Sequence, residues 1–520
     1  MGLTWIDFVI VAVYAAVIIG IALWVSRTRA GHERDTEDYF LAGKTLPWWA
    51  IGASLIAANI SAEQVIGMTG SGYAIGLGIA SYEWMAAITL ILVGKYVLPI
   101  FLEMRIYTMP QFLEMRYNGA VRSVMAVFWL GVFTLVNLAS ILWLGALTIA
   151  NMTGLDMNYG IAVLAAFAAI YSLYGGLKAV AYTDIIQVAM LIAGGLLISY
   201  LALDAVGGGH GAVAGFAELM NRVPQKFDMI LDQNDPNYRF LPGLSVVIGG
   251  MWIMNLSYWG FNQYIIQRAL GAKDLREAQK GIVFAAFLKL LVPVLVVFPG
   301  IAAFVLVPDL GRADEAYPAM MALAPVGIRG VIFVALIAAI VSSLGSMMNS
   351  IATIFTMDLY RHFRPATGDK GLVTVGRLAA FSALVIASCA ARPLLGEAEQ
   401  AFQWLQEFTG FFTPGVVTLF ALGLYWKRAT AAGAFAAAIG SAVFSLLFKL
   451  YWPEVPFMNR VGYVFLLCMA VAIGVSLVQG GRVQAKAVDN TAITFDTSSG
   501  FNLAAACITA ILIGLYWYWW

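Results

Sequence analysis

Six polar side chains stand inside long apolar runs: Asn59, Gln64, Glu83, Asn255, Lys289 and Gln406. Together they offer amides, one acid and one base. Such groups hydrogen-bond a neutral solute with many hydroxyls: the acid and amide oxygens accept, while the ammonium and amide N–H groups donate. Aromatic rings accompany them. Asn255 and Tyr258 share a helical face at i, i+3, and Asn262 continues it at i+4; Phe402 lies one turn before Gln406, and Tyr82 adjoins Glu83. Rings at these places suit stacking on a sugar face. Any one Asn or Gln alone reads as interhelical hydrogen bonding. Lys289 does not, because it lies about ten residues into its apolar run, too deep to snorkel, and wants a polar cavity or a partner.

A second group could hold a small monovalent cation. Ala339, Ser342 and Ser343 fall at i, i+3 and i+4 in AAIVSSLGSMMNS, so two hydroxyls and a carbonyl share a face. Further neutral oxygens would come from the carbonyls of Ala57 and Ile60 if the chain were broken there. Residues 48–72, WWAIGASLIAANISAEQVIGMTGSG, predict such a break: Asn59, Ser61, Glu63 and Gln64 sit mid-run with Gly67, Gly70 and Gly72 behind them. Backbone polar groups in lipid must be satisfied, so an interrupted span is tolerated where it lines a cavity and binds something.

The elements that must carry these groups are membrane helices. The chain is 61% hydrophobic and only 11% charged, with a mean hydropathy of +0.84; soluble domains carry roughly 25% charge. Apolar runs of spanning length predict fourteen spans, near 4–26, 47–71, 78–101, 120–150, 157–175, 184–206, 242–266, 278–306, 325–357, 376–396, 400–424, 429–451, 459–479 and 501–519. The first is too long for a signal-peptide core and reads as a retained span. About two thirds of the Lys and Arg fall in the loops after odd-numbered spans, Arg27, Arg29, Arg34, Arg116 and Arg268 among them, which places both termini outside. The longest connections, 27–46, 207–241 and 480–500, read as loops, the last of them mobile, and the closing YWYWW as an interfacial anchor.

Other function classes lose ground. A net charge of +1 without a basic tract gives no footing for nucleic acid. No phosphate-binding P-loop occurs, and His32, His210 and His362 all fall in loops, which removes intramembrane histidine relays. Cys389, Cys468 and Cys507 lie in apolar runs, an odd number that predicts no disulfide framework. No nucleophile–base or metal-ligand cluster suggests an enzyme, and nothing predicts an obligate protein partner.

Several stretches carry a resemblance across nearly the whole chain: TEDYFLAGK, LPWWAIGASLIAANISAEQ, SGYAIGLGIASYEWM, YGGLKAVAYTDIIQV, SYWGFNQYIIQR, QKGIVFAAFLKL, IVSSLGSMMNSIATIFTMD and FQWLQEFTG. In these the chain resembles the sodium/solute symporter family, and within it the bacterial sodium/galactose, SGLT-type, cotransporters. The resemblance implies an all-α polytopic fold of leucine-transporter type in a single transmembrane domain (residues 1–520). Two inverted five-helix repeats are implied at 47–206 and 242–424, with flanking helices at 425–520. It implies sodium-driven hexose symport (galactose or glucose) through a bacterial inner membrane, with the sodium ion as co-transported partner. Asn59, Gln64, Glu83, Asn255, Lys289 and Gln406 would then bind the sugar. Tyr258 would be an inner gate, and Met68, Tyr82 and Phe402 an outer one. Sodium would meet Ala57, Ile60, Ala339, Ser342 and Ser343, with Asp184 on its exit path. Ala86 stands where the family's galactose binders have a serine, and Ser257 precedes the gating tyrosine, so the preferred hexose stays open. Glu63 belongs to neither set; it reads as bracing the break against Asn137, Asn262 or Thr409. The alternatives are another small solute, an inositol or sialic acid, and a sensor or channel on the same fold.

Overall fold

The computed structural model describes residues 3–25, 36–395 and 401–520. Arg27, Arg29, His32 and Arg34 lie outside them. The described chain is helical, with one isolated bridge where Leu46 meets Ala272.

In chain order the helices that matter are α1 (Trp5–Val25), α2 (Trp48–Asn59), α3 (Glu63–Ala74), α4 (Leu77–Glu103), α5 (Met109–Arg116), α6 (Gly119–Thr153) and α7 (Met157–Val206). Then come α8 (Gly250–Phe261), α9 (Gln263–Leu270), α10 (Leu275–Leu306), α11 (Ile328–Phe363) and α12 (Asp369–Leu395). The rest are α13 (Phe402–Gly410), α14 (Thr413–Tyr425), α15 (Ala431–Tyr451), α16 (Phe457–Val478) and α17 (Ser499–Tyr518). Among the described residues ten helices are long and apolar enough to cross a membrane, and twelve if α2 with α3 and α13 with α14 each count as one bent span.

The expected break in the second span is present: α2 and α3 meet at 62°. Its cause is local. Ile60 takes an extended backbone (φ −78°, ψ 93°). The Glu63 N–H donates to Ser61 Oγ at 3.0 Å, while the Ser61 N–H donates to Gln64 Oε1 at 3.1 Å. Ser61 and Gln64 thus form a capping box that starts a new helix where the old one would have continued. A second break, at 49° between α13 and α14, falls inside what the sequence reads as one span, 400–424. Pro414 opens α14 with no N–H to give, and Phe411, left outside both helices, sends its carbonyl to Ser441 Oγ at 2.7 Å.

Other differences have equally plain reasons. The spans at 157–175 and 184–206 are not joined by a loop: α7 stays helical on both sides of a sharp bend at Gly176. Its φ of +63° needs glycine, and a Cβ there would lie 2.6 Å from the Tyr39 carbonyl oxygen. The loop at 207–241 contains a helix at Ala212–Arg222, and Thr36–Leu41 forms one within 27–46. Residues 480–500 are tied down, with Gln484 N–H on Lys427 O (3.0 Å) and Asn490 Nδ2 on Leu424 O (2.8 Å). Arg116 and Arg268, read as loop charges, are buried (1% and 0% exposed). Arg116 donates to the Gly423 and Trp426 carbonyls where α14 ends.

The flanking helices do more than face lipid. Asp7 of α1 accepts from Gly327 N–H (2.9 Å) and Gly330 N–H (2.8 Å), capping the start of α11. At the chain's end Trp517 is exposed as an interfacial ring would be, but Trp519 stacks on Trp84 of α4. Its carbonyl accepts from Met229 N–H at 2.8 Å, so the terminus also pins the 207–241 segment.

Candidate functional site

The break in α2–α3 opens onto a cavity of about 120 Å³. All six polar residues singled out above line it, brought from α2, α3, α4, α8, α10 and α13. Tyr258, Tyr82 and Phe402 line it as well, whereas Met68 is buried behind the wall.

Lys289 is the hub. Its ammonium donates to Asn59 Oδ1 and to Glu83 Oε2 and lies 4.8 Å from the centre of the Trp259 ring. Both members of the Lys289–Glu83 pair are nearly inaccessible, with side chains 1% and 4% exposed. Removing two charges from water is costly, and close pairing plus further hydrogen bonds must compensate. The helices carrying the pair are joined by Trp84 Nε1 of α4 donating to Leu290 O of α10 (3.3 Å), and α17 supports α4 through Tyr516 OH donating to Ser81 Oγ (2.9 Å).

The amides are oriented by their own local bonds. Gln64 uses Oε1 in the capping box, accepting also from Ser61 Oγ at 3.0 Å, so Nε2 is the atom it offers the cavity. Asn255 donates Nδ2 to Met251 O (3.1 Å) and offers its oxygen. The sequence contained the Ser61-x-x-Gln64 signature of this box, but Ser61 read only as one of several polar residues mid-run.

Two aromatic closures bound the cavity. Tyr82 and Phe402 meet edge-to-face with centroids 5.2 Å apart. Phe402 also lies against Gly67, where a Cβ would come within 2.9 Å of it. At the other end Asn59 Nδ2 donates to Tyr258 OH (2.9 Å), and Tyr258 OH hydrogen-bonds Tyr264 OH. The lining also includes Trp129 and Phe133 of α6 and Thr413 and Val416 of α14. Ala86 is buried and does not line it.

Next to the break, Ser343 Oγ of α11 lies 3.1 Å from Ala58 O and 3.5 Å from Ala57 O. The Ser61 N–H that would have served Ala57 O in an unbroken helix is taken by Gln64. The end of α2 therefore presents carbonyl oxygens, with the partial negative charge of a helix C-terminus, to α11. Ser342 Oγ donates to Asp184 Oδ1 (2.5 Å), and Ser54 Oγ to Asp184 Oδ2 (2.5 Å). Arg268 follows, its Nε on Ser54 Oγ at 3.1 Å and further N–H groups on Tyr264 O and Ser346 Oγ. Asp184 thus sits between the serine face and a buried arginine, a link the sequence left unseen because Arg268 read as a loop residue.

Glu63 has the Asn137 side chain as a hydrogen-bond partner. Thr409 is not one: its hydroxyl turns back to Leu405 O (3.0 Å) and Gln406 O (3.2 Å).

Comparison with known proteins agrees in one direction. The family model described as "Sodium:solute symporter family" matches residues 39–440. A sodium/glucose cotransporter of Vibrio parahaemolyticus is 52% identical, the match covering 100% of this chain and 99% of that one. A mouse sodium/myo-inositol cotransporter 2 is 34% identical over 83% of this chain and 68% of its own. Among solved structures, a substrate-bound, outward-open Na+-coupled sialic acid symporter superposes with a TM-score of 0.80 at 23% identity, covering 91% and 98% of the two chains. A transporter of the nucleobase-cation-symport-1 family does so at 0.56 and 14%, covering 87% and 98%. At these identities the solved structures share a fold with this chain.

Proposed function

The chain belongs to the sodium:solute symporter family, and from that premise we propose that it carries a hexose, glucose or galactose, together with sodium across the plasma membrane by alternating access. The observation that carries this reading is one helix break bordered on both sides. Asn59 and Gln64 face a cavity of hydroxyl-binding groups, and Ala57 and Ala58 turn their carbonyls to Ser343.

Asn59, Gln64, Glu83, Asn255, Lys289 and Gln406 are the sugar ligands. Lys289 and Gln64 Nε2 donate; Glu83 and Asn255 Oδ1 accept. Tyr258 closes one end of the site, and Tyr82 with Phe402, backed by Met68, closes the other. Sodium binds at the end of α2, among the carbonyls of Ala57, Ile60 and Ala339 and the hydroxyls of Ser342 and Ser343. Neutral oxygens at a helix C-terminus suit a single positive charge. Asp184 then receives the ion on its way inward. Sodium holding the end of α2 fixes Asn59 and the capping box, which positions Gln64 for sugar; by linkage, sugar tightens sodium equally. Each charge moved inward through 100 mV supplies roughly 2.3 kcal/mol, about fifty-fold in accumulation before any sodium gradient is counted.

The same reading assigns fourteen spans. Met157–Ile170 and the interrupted stretch through α8 and α9 join the twelve above. Residues 47–206 and 242–424 form the inverted repeats, each opening on a broken helix, and both termini lie outside. No protein partner and no resident cofactor is needed; the solute, sodium and the bilayer suffice.

The test is uptake of labelled glucose and galactose into proteoliposomes. Accumulation against a gradient that needs sodium, with unlabelled hexoses competing, supports the reading. Uptake unchanged when choline replaces sodium overturns the ion, and competition by myo-inositol alone overturns the hexose.

A further inference from the structure

Beside Tyr258 the cavity contains groups that the sugar site does not use. Among the described residues Glu63 Oε1 and Asn262 Oδ1 are buried acceptors without a hydrogen-bond partner, and both residues line the cavity. Glu63 lies close enough to Tyr258 and Tyr264 to act on both electrostatically.

No described donor serves these two oxygens. The Thr409 hydroxyl is spent on its own helix, and the Tyr258 and Tyr264 hydroxyls share one hydrogen bond. Both are therefore buried acceptors left alone, and such a group carries its full desolvation cost. Trp129 and Phe412 supply apolar faces in the same cavity. An acceptor pair sharing a cavity with rings matches a ligand rich in hydroxyl donors with an apolar face. The sugar site differs, since there Lys289 and Gln64 donate.

We propose that the cavity holds a second hexose position, beside Tyr258, where Glu63 and Asn262 accept hydrogen bonds from sugar hydroxyls against Trp129 and Phe412. It rests on the hexose-symport reading. Sugar leaving the first site passes the tyrosine and rests here before reaching the cytosol. Glu63, which braces the break through Asn137, then has a second task for its other oxygen.

The experiment uses the full chain in right-side-out and inside-out membrane vesicles, with labelled glucose and galactose. Sodium-driven uptake by the unaltered protein, measured first, reports on the symport reading alone. The half-saturating hexose concentration is then read from each face. Asn262→Ala should raise the cytosolic-face value relative to the outer-face value about tenfold, the loss of one buried hydrogen bond to a ligand. Asn262→Asp, which keeps an acceptor, should restore the ratio to within about twofold, and Glu63→Gln should shift it less than Glu63→Ala. A ratio unchanged in Asn262→Ala and Glu63→Ala overturns the proposal. So does an equal rise on both faces, which marks a purely bracing role, or a shift in sodium half-saturation without one in hexose, which marks a cation site.

Discussion

Replacing Lys289 by alanine tests the sugar site most sharply, because its ammonium joins Asn59, Glu83 and the Trp259 ring at one point. Two effects superpose. The variant leaves Glu83, 3% exposed, without its cation, and breaking a buried pair from one side costs about 3–5 kcal/mol. It also removes a charged donor to the sugar, and a hydrogen bond to a charged group contributes about 1.5–3 kcal/mol, roughly ten- to hundred-fold in affinity. A double variant separates the two: Lys289→Met with Glu83→Leu removes both charges and keeps apolar volume, so thermal stability should return to near that of the unaltered protein. Hexose binding should not return. The assay pairs thermal unfolding in detergent with the half-saturating hexose concentration for sodium-dependent uptake. Sodium affinity measured without sugar should stay within about threefold, because the serine face on α11 is untouched. Near-normal hexose half-saturation in the double variant would refute the reasoning and make the pair a structural brace.

Ser343→Ala should raise the sodium needed for half-maximal uptake about tenfold while leaving hexose half-saturation at saturating sodium within about twofold, as read by uptake against sodium concentration. Asp7→Ala, which uncaps Gly327 and Gly330 at the start of α11, should lower stability by about 1–2 kcal/mol in thermal unfolding. Lys226, outside the spans, donates to Tyr73 O (3.0 Å) and Ala74 O (2.7 Å) at the end of α3, and burial pushes its ammonium down to about 8, with Asp235 opposing. A lysine depressed on folding binds fewer protons folded than unfolded between pH 8 and its ordinary value near 10.5, so its contribution to stability rises across that window and is flat below it. Subtracting the pH profile of Lys226→Met from that of the unaltered chain should isolate that rise. Ser61→Ala should flatten the dependence of hexose half-saturation on sodium, measured by uptake at several sodium concentrations.

Much of the spanning pattern was legible because apolar length is imposed by the bilayer and survives tertiary context. The break at Asn59–Ala62 was legible too, since Asn59, Ser61, Glu63 and Gln64 cluster mid-run with glycines behind them. What escaped notice were features whose cause lies in a distant partner. Arg268 sits in a sequence context indistinguishable from a loop; only the packing of α9 against α2 and α11 shows it donating to Ser54 and Ser346. The break before Pro414 had a local signal, but its freed carbonyl is satisfied by Ser441, 30 residues on. Asp7 stands unremarked in the first apolar run, and its partners, Gly327 and Gly330, lie at the start of α11. In each case a polar group's position is readable in sequence and its partner is not.

The coupling proposed for this chain needs no long pathway, because the two sites share eight consecutive residues. Ala57 and Ala58 present carbonyls to Ser343, Asn59 bonds Lys289 and Tyr258, and Ser61 caps the turn in which Gln64 is held. Ser61 touches neither proposed ligand: its hydroxyl only joins Glu63 N–H to Gln64 Oε1. Removing it leaves every sugar and sodium ligand in sequence, and the backbone N–H at position 61 still reaches Gln64 Oε1, but Gln64 loses one of its two orienting bonds and the Glu63 N–H loses its acceptor. An ordered break is one that sodium can stabilise and sugar can read. A disordered one lets each ligand bind without informing the other, and the coupling free energy, typically 1–3 kcal/mol for linked sites, should shrink toward zero. Intact affinities with lost interdependence would place the coupling in the capping box; a uniform loss of both affinities would place it elsewhere.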